Sequence, residues 1–523
     1  MGDEQNDAIA FLSEPVSYGS GVSAVERLDT HASIVFLAGG FAYKLKRAIK
    51  YPYLDYSSVE RRKAMCEREL AINRRTAPQL YQDARPVVPG PDGRLRFGAW
   101  DEAGRAIDWV VVMQRFDQAL LLGNLCAAGG FTVEMARSLG QIIADFHLRA
   151  EQTRDLGGAS AIARVLDENA SLLSGSEGVD RSKAHRLEQD ARRAFSRIKG
   201  LLDSRKSKGF VRRCHGDLHL DNICILDGVP VLIDAIEFND DFACIDVLFD
   251  LAFPVMELLR RGLRAHANAL LIRYIECTGD YDGLAALPLF LACRAGIRAH
   301  VALARGEIDR QNNRADLEDA RGLLDSAIGH LEPRNPRLVA VGGVSGTGKS
   351  TLAYGLAPRL EPPPGAIVVR SDLARKALLG VSETTRLPAG AYTREMHARV
   401  FSAMAQHAAV ALGAGMSVIL DGVYGEANER RSIAGAAVRA GVGFDGLWLE
   451  APAGTVKQRV RARRGDASDA TPGVLRQQLE TLTAPEDWNM LDAGRSRGEV
   501  LDAASKALEP QRYPLTESGK NPI

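Results

Sequence analysis

Apolar and polar positions follow two different rhythms along this chain, and the change of rhythm divides it. Short strand-like runs come first: Ser33-Ile-Val-Phe-Leu37, Phe41-Ala-Tyr-Lys44-Leu-Lys46 and Trp109-Val-Val-Val-Met113, with a helix-like stretch from Ser58 to Arg75 between them. This pattern predicts a small β-rich lobe. From Thr132 to Lys208 the period is helical, and the amphipathic segment Met135 to Leu148 carries His147, read as a core or surface histidine. An apolar run, Val229-Pro-Val-Leu-Ile233, interrupts the helices, which resume after Ile245 and continue to about His330. Leu331-Glu-Pro-Arg-Asn-Pro-Arg337 has the prolines and charges of an interdomain linker. Beyond it strands and helices alternate, with strands expected at Leu338 to Val341, Ala366 to Val369, Ser417 to Leu420, Leu447 to Leu449 and Asn489 to Leu491. Such alternation implies a parallel sheet covered by helices. The expected division is therefore an α+β unit over 1–330, a linker over 331–337 and an α/β unit over 338–509. The polar tail 510–523 is expected to be mobile. No internal repeat is visible.

Two motifs carry chemistry, one in each unit. His215-Gly-Asp217-Leu-His219-Leu-Asp221-Asn222 places a His two residues before an Asp and an Asn five residues after it. Protein-kinase catalytic loops use both gaps. The spacing lets Asp217 face an attacking hydroxyl while Asn222 offers Mg²⁺ a hard oxygen ligand. Asp234, at the end of the apolar run, can supply a second metal oxygen. A kinase lobe of this type also needs a strand lysine for the nucleotide phosphates and a helix glutamate to hold it. Lys44 is the first choice with Lys46 as the alternative, since residues two apart share one face of a strand. Glu69 is the expected partner, with Glu67 behind it. Asp246 and Asp250 are expected to cap or brace the catalytic loop.

In the second unit, Gly343-Val-Ser345-Gly346-Thr347-Gly348-Lys349-Ser350-Thr351 is a complete phosphate-binding loop between a predicted strand and a predicted helix. Its glycines admit phosphate oxygens to backbone amides, Lys349 reaches the β and γ phosphates, and Ser350 ligates Mg²⁺. Asp372 and Arg375 follow the next strand, so they should face this loop across the crevice, Asp372 as a base and Arg375 as a clamp on an anionic acceptor. Asp421 is placed like a Walker-B acid. Arg459 and Arg463, four apart on a predicted helix, resemble a lid that closes on phosphates.

Composition narrows the partners. With 523 residues the chain supports about two to four cores. Its 66 basic and 66 acidic residues cancel, which argues against nucleic acid or an anionic membrane as a partner. The seven cysteines form no Cys-x-x-Cys pair and no zinc spacing, as expected of reduced thiols in a cytoplasmic protein. Cys214 and Cys224 beside the catalytic loop read as small core residues. Val400 to Leu420 is an uncharged run of membrane-spanning length, yet it breaks into an Ala-rich helix, a Gly stop and a strand. The acidic start of the chain lacks the layout of a signal peptide.

The first motif, with Leu232-Ile-Asp234, resembles the aminoglycoside phosphotransferase and choline kinase group. The second, with Ser371-Asp-Leu-Ala-Arg375, resembles small P-loop kinases of the gluconate, adenylylsulfate and polynucleotide kinase type. As a whole the chain is similar to bacterial bifunctional aminoglycoside phosphotransferase/ATP-binding proteins. Thr30-His-Ala-Ser33, Tyr43-Lys-Leu-Lys46 and Cys66-Glu-Arg-Glu69 add to the likeness. The resemblance implies a protein-kinase-like domain followed by a P-loop NTPase domain, with Asp217 as base, Asn222 and Asp234 on magnesium, and Lys349 with Ser350 on a second ATP. No glycine-rich nucleotide loop precedes Lys44, only Gly39-Gly40, and Phe-Gly does not follow Asp234. Both departures point away from protein kinases and toward a small-molecule hydroxyl acceptor. The rival expectations are an ATP switch in the second unit that regulates the first, and a non-catalytic binding module. Neither the acceptor nor an oligomeric state is specified by the sequence.

Overall fold

The computed structural model describes residues 3–51, 53–176, 178–308, 313–462 and 467–509. The chain divides into two compact units, Met1–Glu332 and Pro333–Ile523. The tail 510–523 and Arg463 lie outside the described residues.

The first unit opens with a six-stranded antiparallel sheet. Its strands are β1 (Val25–Asp29), β2 (Ser33–Ala38), β3 (Phe41–Lys46), β4 (Tyr81–Pro89), β5 (Leu95–Phe97) and β6 (Asp108–Gln114), in the spatial order β1-β2-β3-β6-β4-β5. Periodicity missed the opening helix Asp3–Ser13 and the strands β1, β4 and β5; β4 is the longest strand of the sheet but is broken in pattern by Gln82, Asp83, Arg85 and Pro86. On one face Ile34, Phe36, Leu45 and Val110 pack against Leu12 of the opening helix. On the other, Trp109 and Val111 receive Cys66 and Leu70 of helix Val59–Asn73. Each such aliphatic burial contributes about 1.5–3 kcal/mol. Ser58 starts that helix by accepting the Arg61 amide hydrogen, and the buried side that results carries Cys66, Glu69 and Asn73 together. Glu69 is thereby delivered under β3, where Lys44 and Lys46 project.

The rest of this unit is helical. Two short antiparallel pairs are inset: β7 (Val211–Arg213) with β10 (Cys244–Asp246), and the hairpin β8 (Ile223–Leu226) with β9 (Val229–Leu232). The turn between β8 and β9 is Asp227-Gly228, both at positive φ, as a tight hairpin requires. The catalytic-type loop therefore spans β7 to β8, and Asp234 follows β9. Helix Leu287–Gly306 is long and apolar enough to cross a membrane by composition, but its apolar surface is largely taken up inside the unit. Val400 to Leu420 divides as expected, into helix Arg394–Gly413 and a strand starting at Val418.

The second unit holds a five-stranded, all-parallel sheet. Its strands are β11 (Arg337–Gly342), β12 (Ile367–Arg370), β13 (Val418–Asp421), β14 (Gly443–Glu450) and β15 (Asn489–Asp492), in the order β12-β13-β11-β14-β15. β11 begins inside the predicted linker, at Arg337. β14 starts earlier than its apolar core because Gly443 to Gly446 are paired to β11 despite their low strand propensity. The carboxyl ends of β11, β12 and β13 converge on the glycine-rich loop.

Candidate functional site

The amino-terminal site is built on a buried ion cluster. Lys44 Nζ lies 2.9 Å from Glu69 Oε1 and 2.6 Å from Asp234 Oδ1, while Lys46 Nζ lies 2.6 Å from Glu69 Oε2 and 2.5 Å from Glu237 Oε1. Burial would lower both lysine pKa values, but the surrounding carboxylates outweigh it and raise them. Burial likewise opposes the ionisation of Glu69, and the two ammonium groups more than compensate, leaving its pKa depressed. The two lysines differ in position. Lys46 is 1% exposed and tied to Glu237 and to Tyr56, whereas Lys44 is 14% exposed and reaches Asp234. Glu67 is turned outward, 3.8 Å from Lys63 on the surface, so of this helix's two candidates it is Glu69 that meets the lysines.

The loop itself is held from behind. The His215 and Gly216 amides donate to the two oxygens of Asp250, each at 3.0 Å, and His147 Nε2 also lies 3.1 Å from that carboxylate. His147 is thus a buried brace, its other nitrogen 3.0 Å from the Tyr274 hydroxyl. Asp246 serves elsewhere, accepting from Leu248 N and pairing with Arg205. His215 is kept neutral, because burial lowers its pKa more than the neighbouring acids raise it, and its Nε2–H donates to the Ile233 carbonyl at 2.7 Å. This bond ties the loop to the residue before Asp234. Gly216 lies at φ +87°, and a Cβ there would come within 2.9 Å of the Phe242 carbonyl, so only glycine fits between His215 and Asp217. Asp234 has φ +59°, a left-handed conformation that Asp tolerates and that recurs at functional positions.

Asn222 Nδ2 donates to the Asp217 carbonyl at 2.9 Å, leaving its amide oxygen for another partner. Asp217 is 42% exposed and has His219 Nε2 at 3.4 Å. Protein crowded around its carboxyl would raise the pKa, but the hydrogen bond and charge of His219, with His215 and Arg294, hold it at about 2. For His219 the order is similar: burial lowers the pKa and Asp217 more than offsets it, giving a net rise. His219 and Arg294 had no assigned role in the sequence reading. The first stood two residues from Asp217 in plain view, whereas Arg294 comes from a remote helix and leaves no local signal. Asp217 and Gly216 form part of the wall of a cavity of about 1200 Å³ between helices Gly158–Gly175 and Leu287–Ile308. Asp217, Asn222 and Asp234 thus offer oxygens of the kind a divalent cation takes, next to a lysine suited to phosphate.

In the second unit the loop Gly343 to Gly348 precedes helix Lys349–Leu356. Gly343 approaches β14 so closely that a Cβ would stand 2.5 Å from the Leu449 carbonyl. Lys349 Nζ donates to the Val344 carbonyl at 3.0 Å, folded over its own loop, and Thr347 Oγ1 donates to the same carbonyl. Ser350 Oγ is 2.5 Å from Asp421 Oδ2, which also has Arg370 at 3.4 Å. A hydroxyl from the first turn of the helix and a carboxylate from the end of β13, in contact with each other, fit the donor set of Mg²⁺. Thr351 is exposed. Asp372 lies within the electrostatic reach of this group. Burial and then Asp421 raise its pKa, against the opposing Arg370, Lys349 and Ser468.

Two expectations change here. Arg375 does not stand open as a clamp: its Nη1 donates to the Ala391 carbonyl at 3.1 Å and its guanidinium lies 4.8 Å from the Tyr392 ring centre, because the buried side of its helix faces that segment. Arg459 touches the loop through backbone rather than waiting above it, with Nη1 3.5 Å from the Thr347 carbonyl and 3.1 Å from that of Ala493. The hydrophobic contact of Val456, Val460 and Leu475 with Val344 packs its helix there. Arg463, its expected companion, lies outside the described residues. Gln478 was not foreseen; its Oε1 accepts the Ser345 amide hydrogen at 2.8 Å, one of the loop amides that phosphate would use.

Residues 58–287 match the model of a family described as the phosphotransferase enzyme family, and residues 338–485 match one described as an AAA domain. The chain is 30% identical over 452 residues to an uncharacterized protein of Mycobacterium tuberculosis and to one of Mycobacterium bovis, covering 85% of this chain and 87% of theirs. Similar solved structures include a sugar kinase from Janibacter sp., at 25% identity and TM-score 0.27, over 33% of this chain and 94% of that one. Another is a choline/ethanolamine kinase family protein from Mesorhizobium loti, at 13% identity and TM-score 0.35, over 63% of this chain and 99% of that one.

Proposed function

Since this chain belongs to the bacterial family that fuses a phosphotransferase-type domain to an AAA-type P-loop domain, we propose that it is an ATP- and Mg²⁺-dependent small-molecule phosphotransferase with two separate nucleotide sites. The observation that carries the reading is the convergence of Lys44, Glu69, Asp234 and the Asp217 loop from strand, helix and hairpin onto one place.

In the first site Lys44 holds the nucleotide phosphates and Glu69 holds Lys44. Asp217 receives the acceptor hydroxyl. A carboxylate with a pKa of about 2 is a weak base toward an alcohol, so Asp217 orients the hydroxyl and takes its proton late, after the bond to phosphorus has begun to form. His215 positions the loop without touching substrate. Mg²⁺ held by Asn222 and Asp234 would neutralise phosphate charge. Catalysis is then chiefly positioning and electrostatics.

In the second site Lys349 and the loop amides take the phosphates, Ser350 and Asp421 supply metal ligands, and Asp372 is the base, its raised pKa making it a better proton acceptor than Asp217. Arg375 acts indirectly by positioning Tyr392, and Arg459 by supporting the loop. The seven free cysteines suit a cytoplasmic setting. A regulatory reading of this half has one observation in its favour, the Gln478 contact that occupies a loop amide.

The test is the full chain against a metabolite pool with labelled ATP, compared with Asp217→Asn and Asp372→Asn. Each variant should delete a different labelled product. Loss of no product in either variant overturns the assignment.

A further inference from the structure

The cavity beside Asp217 is larger than a small acceptor needs. Drug-sized ligands occupy roughly 300–1,000 Å³, and this space measures about 1200 Å³. Most of its lining surface is carbon. Ile162, Val165 and Leu172 line one side, Ile297 and Val301 the other, and Leu172 and Val301 remain 43% and 37% exposed. At the mouth Tyr53 and Phe242 lie with ring centres 6.3 Å apart and stay 43% and 39% exposed, offering flat apolar surface.

The charges around the cavity are already matched. Asp241 pairs with Arg164 at 2.9 Å, Asp316 with Arg305 at 3.6 Å and Asp246 with Arg205 at 2.7 Å. Glu168 has no ion pair among the described residues, and Asp217 has only His219. A polycation would need several free carboxylates, and would meet Arg164, Arg305 and Arg294 instead. Arg294 Nη2 and His300 Nε2 have no hydrogen-bond partner, but both atoms are sealed from the cavity, and Arg294 Nη2 lies 3.9 Å from Asp250 Oδ1, so neither is presented to a ligand. His300 is held neutral, since burial takes its pKa to about 4, so it adds no charge to the wall.

We propose that the acceptor of the amino-terminal site is an uncharged alcohol on a large carbon skeleton, and that polycationic aminoglycosides are not its substrates. This names the substrate class of the Asp217 site and so rests on the reading given above. The full-length Lys349→Ala chain, with its second nucleotide site silenced, is titrated with the uncharged fluorophore N-phenyl-1-naphthylamine. Pregnenolone, geranylgeraniol, betulin, kanamycin and choline follow as competitors, with ADP release measured in parallel. The fluorophore should bind saturably. At least one of the three alcohols should displace it and accelerate ADP release, and kanamycin and choline should do neither. Leu172→Asp and Val301→Asp, at exposed positions that leave the fold intact, should weaken the fluorophore about tenfold or more by setting a charge in the apolar wall, with ATP binding unchanged. Displacement by kanamycin, failure of all three alcohols to displace, or fluorophore binding indifferent to both variants overturns the proposal. Displacement by an alcohol that never speeds ADP release, with ATP still bound, supports the ligand class and overturns the phosphotransfer reading instead.

Discussion

Asp217→Asn separates chemistry from architecture at the amino-terminal site. Asparagine keeps the size of the side chain and one oxygen, and the 2.9 Å bond from Asn222 Nδ2 to the main-chain carbonyl of residue 217 is untouched. What disappears is the negative charge. Loss of a proton acceptor costs about 10²–10⁴ in turnover, or about 3–5 kcal/mol of barrier. Stability should change little: the contact with His219 is 3.4 Å long and Asp217 is 42% exposed, so solvent screening limits its worth to below about 1 kcal/mol. The sign follows from the depressed pKa. Asp217 stabilises the fold above the unfolded carboxyl pKa, and that contribution fades as pH falls toward about 2. A second signature is specific to this geometry. His219 has its pKa raised by Asp217 against the opposing effect of burial, so in the variant it must fall. The assay is acceptor-dependent ADP release by the Lys349→Ala chain with and without Asp217→Asn, alongside ATP calorimetry, thermal unfolding and an NMR titration of His219. Wild-type turnover in the variant refutes the role of Asp217, and an unmoved His219 titration refutes the pairing.

Glu69→Gln should lower the unfolding temperature of the first unit markedly, because two buried ammonium groups lose a shared carboxylate, at a cost of about 3–5 kcal/mol. Glu67→Gln should be near neutral by the same calorimetric measurement, since it removes only a 3.8 Å surface contact. Lys349→Ala should reduce ATP binding by the full chain from about two equivalents to about one in isothermal titration; a wild-type stoichiometry of one contradicts two separate sites. Asp372→Asn should raise the unfolding temperature at neutral pH while suppressing acceptor-dependent turnover of the second unit. Its raised pKa means that the ionised form is disfavoured by folding, a penalty complete above the folded pKa, so the gain in the variant should vanish as pH falls below the unfolded carboxyl value.

Much of this was legible before any coordinates. Spacing alone placed Asp217, Asn222 and Asp234 on one hairpin region, because the motif and its flanking apolar run are local and the β8–β9 turn carries its own glycine. Spacing also placed Ser350, though not its contact with Asp421, which depends on two strands lying side by side. Lys44 and Lys46 could not be separated by sequence, since strand alternation gives both the same face. Depth beneath the sheet, set by Glu237 and Tyr56 from distant segments, distinguishes them. β4 escaped notice because Asp83, Arg85 and Pro86 hide its period, while its pairing with β6 holds it in place. The expected clamp at Arg375 failed for a related reason: position along a helix is local, but the side on which Tyr392 packs is not.

The carboxylate of Asp250 has a consequence beyond bracing. Its pKa is lowered by His147, His215 and Arg294 against the contrary effect of burial, and the His215 ring it steadies is itself kept uncharged. Asp250 is thereby biased toward its ionised form and His215 toward its neutral form. A shift in acidity should therefore act first on groups beside Asp217, such as His219, rather than on the carboxylate that holds the loop in place.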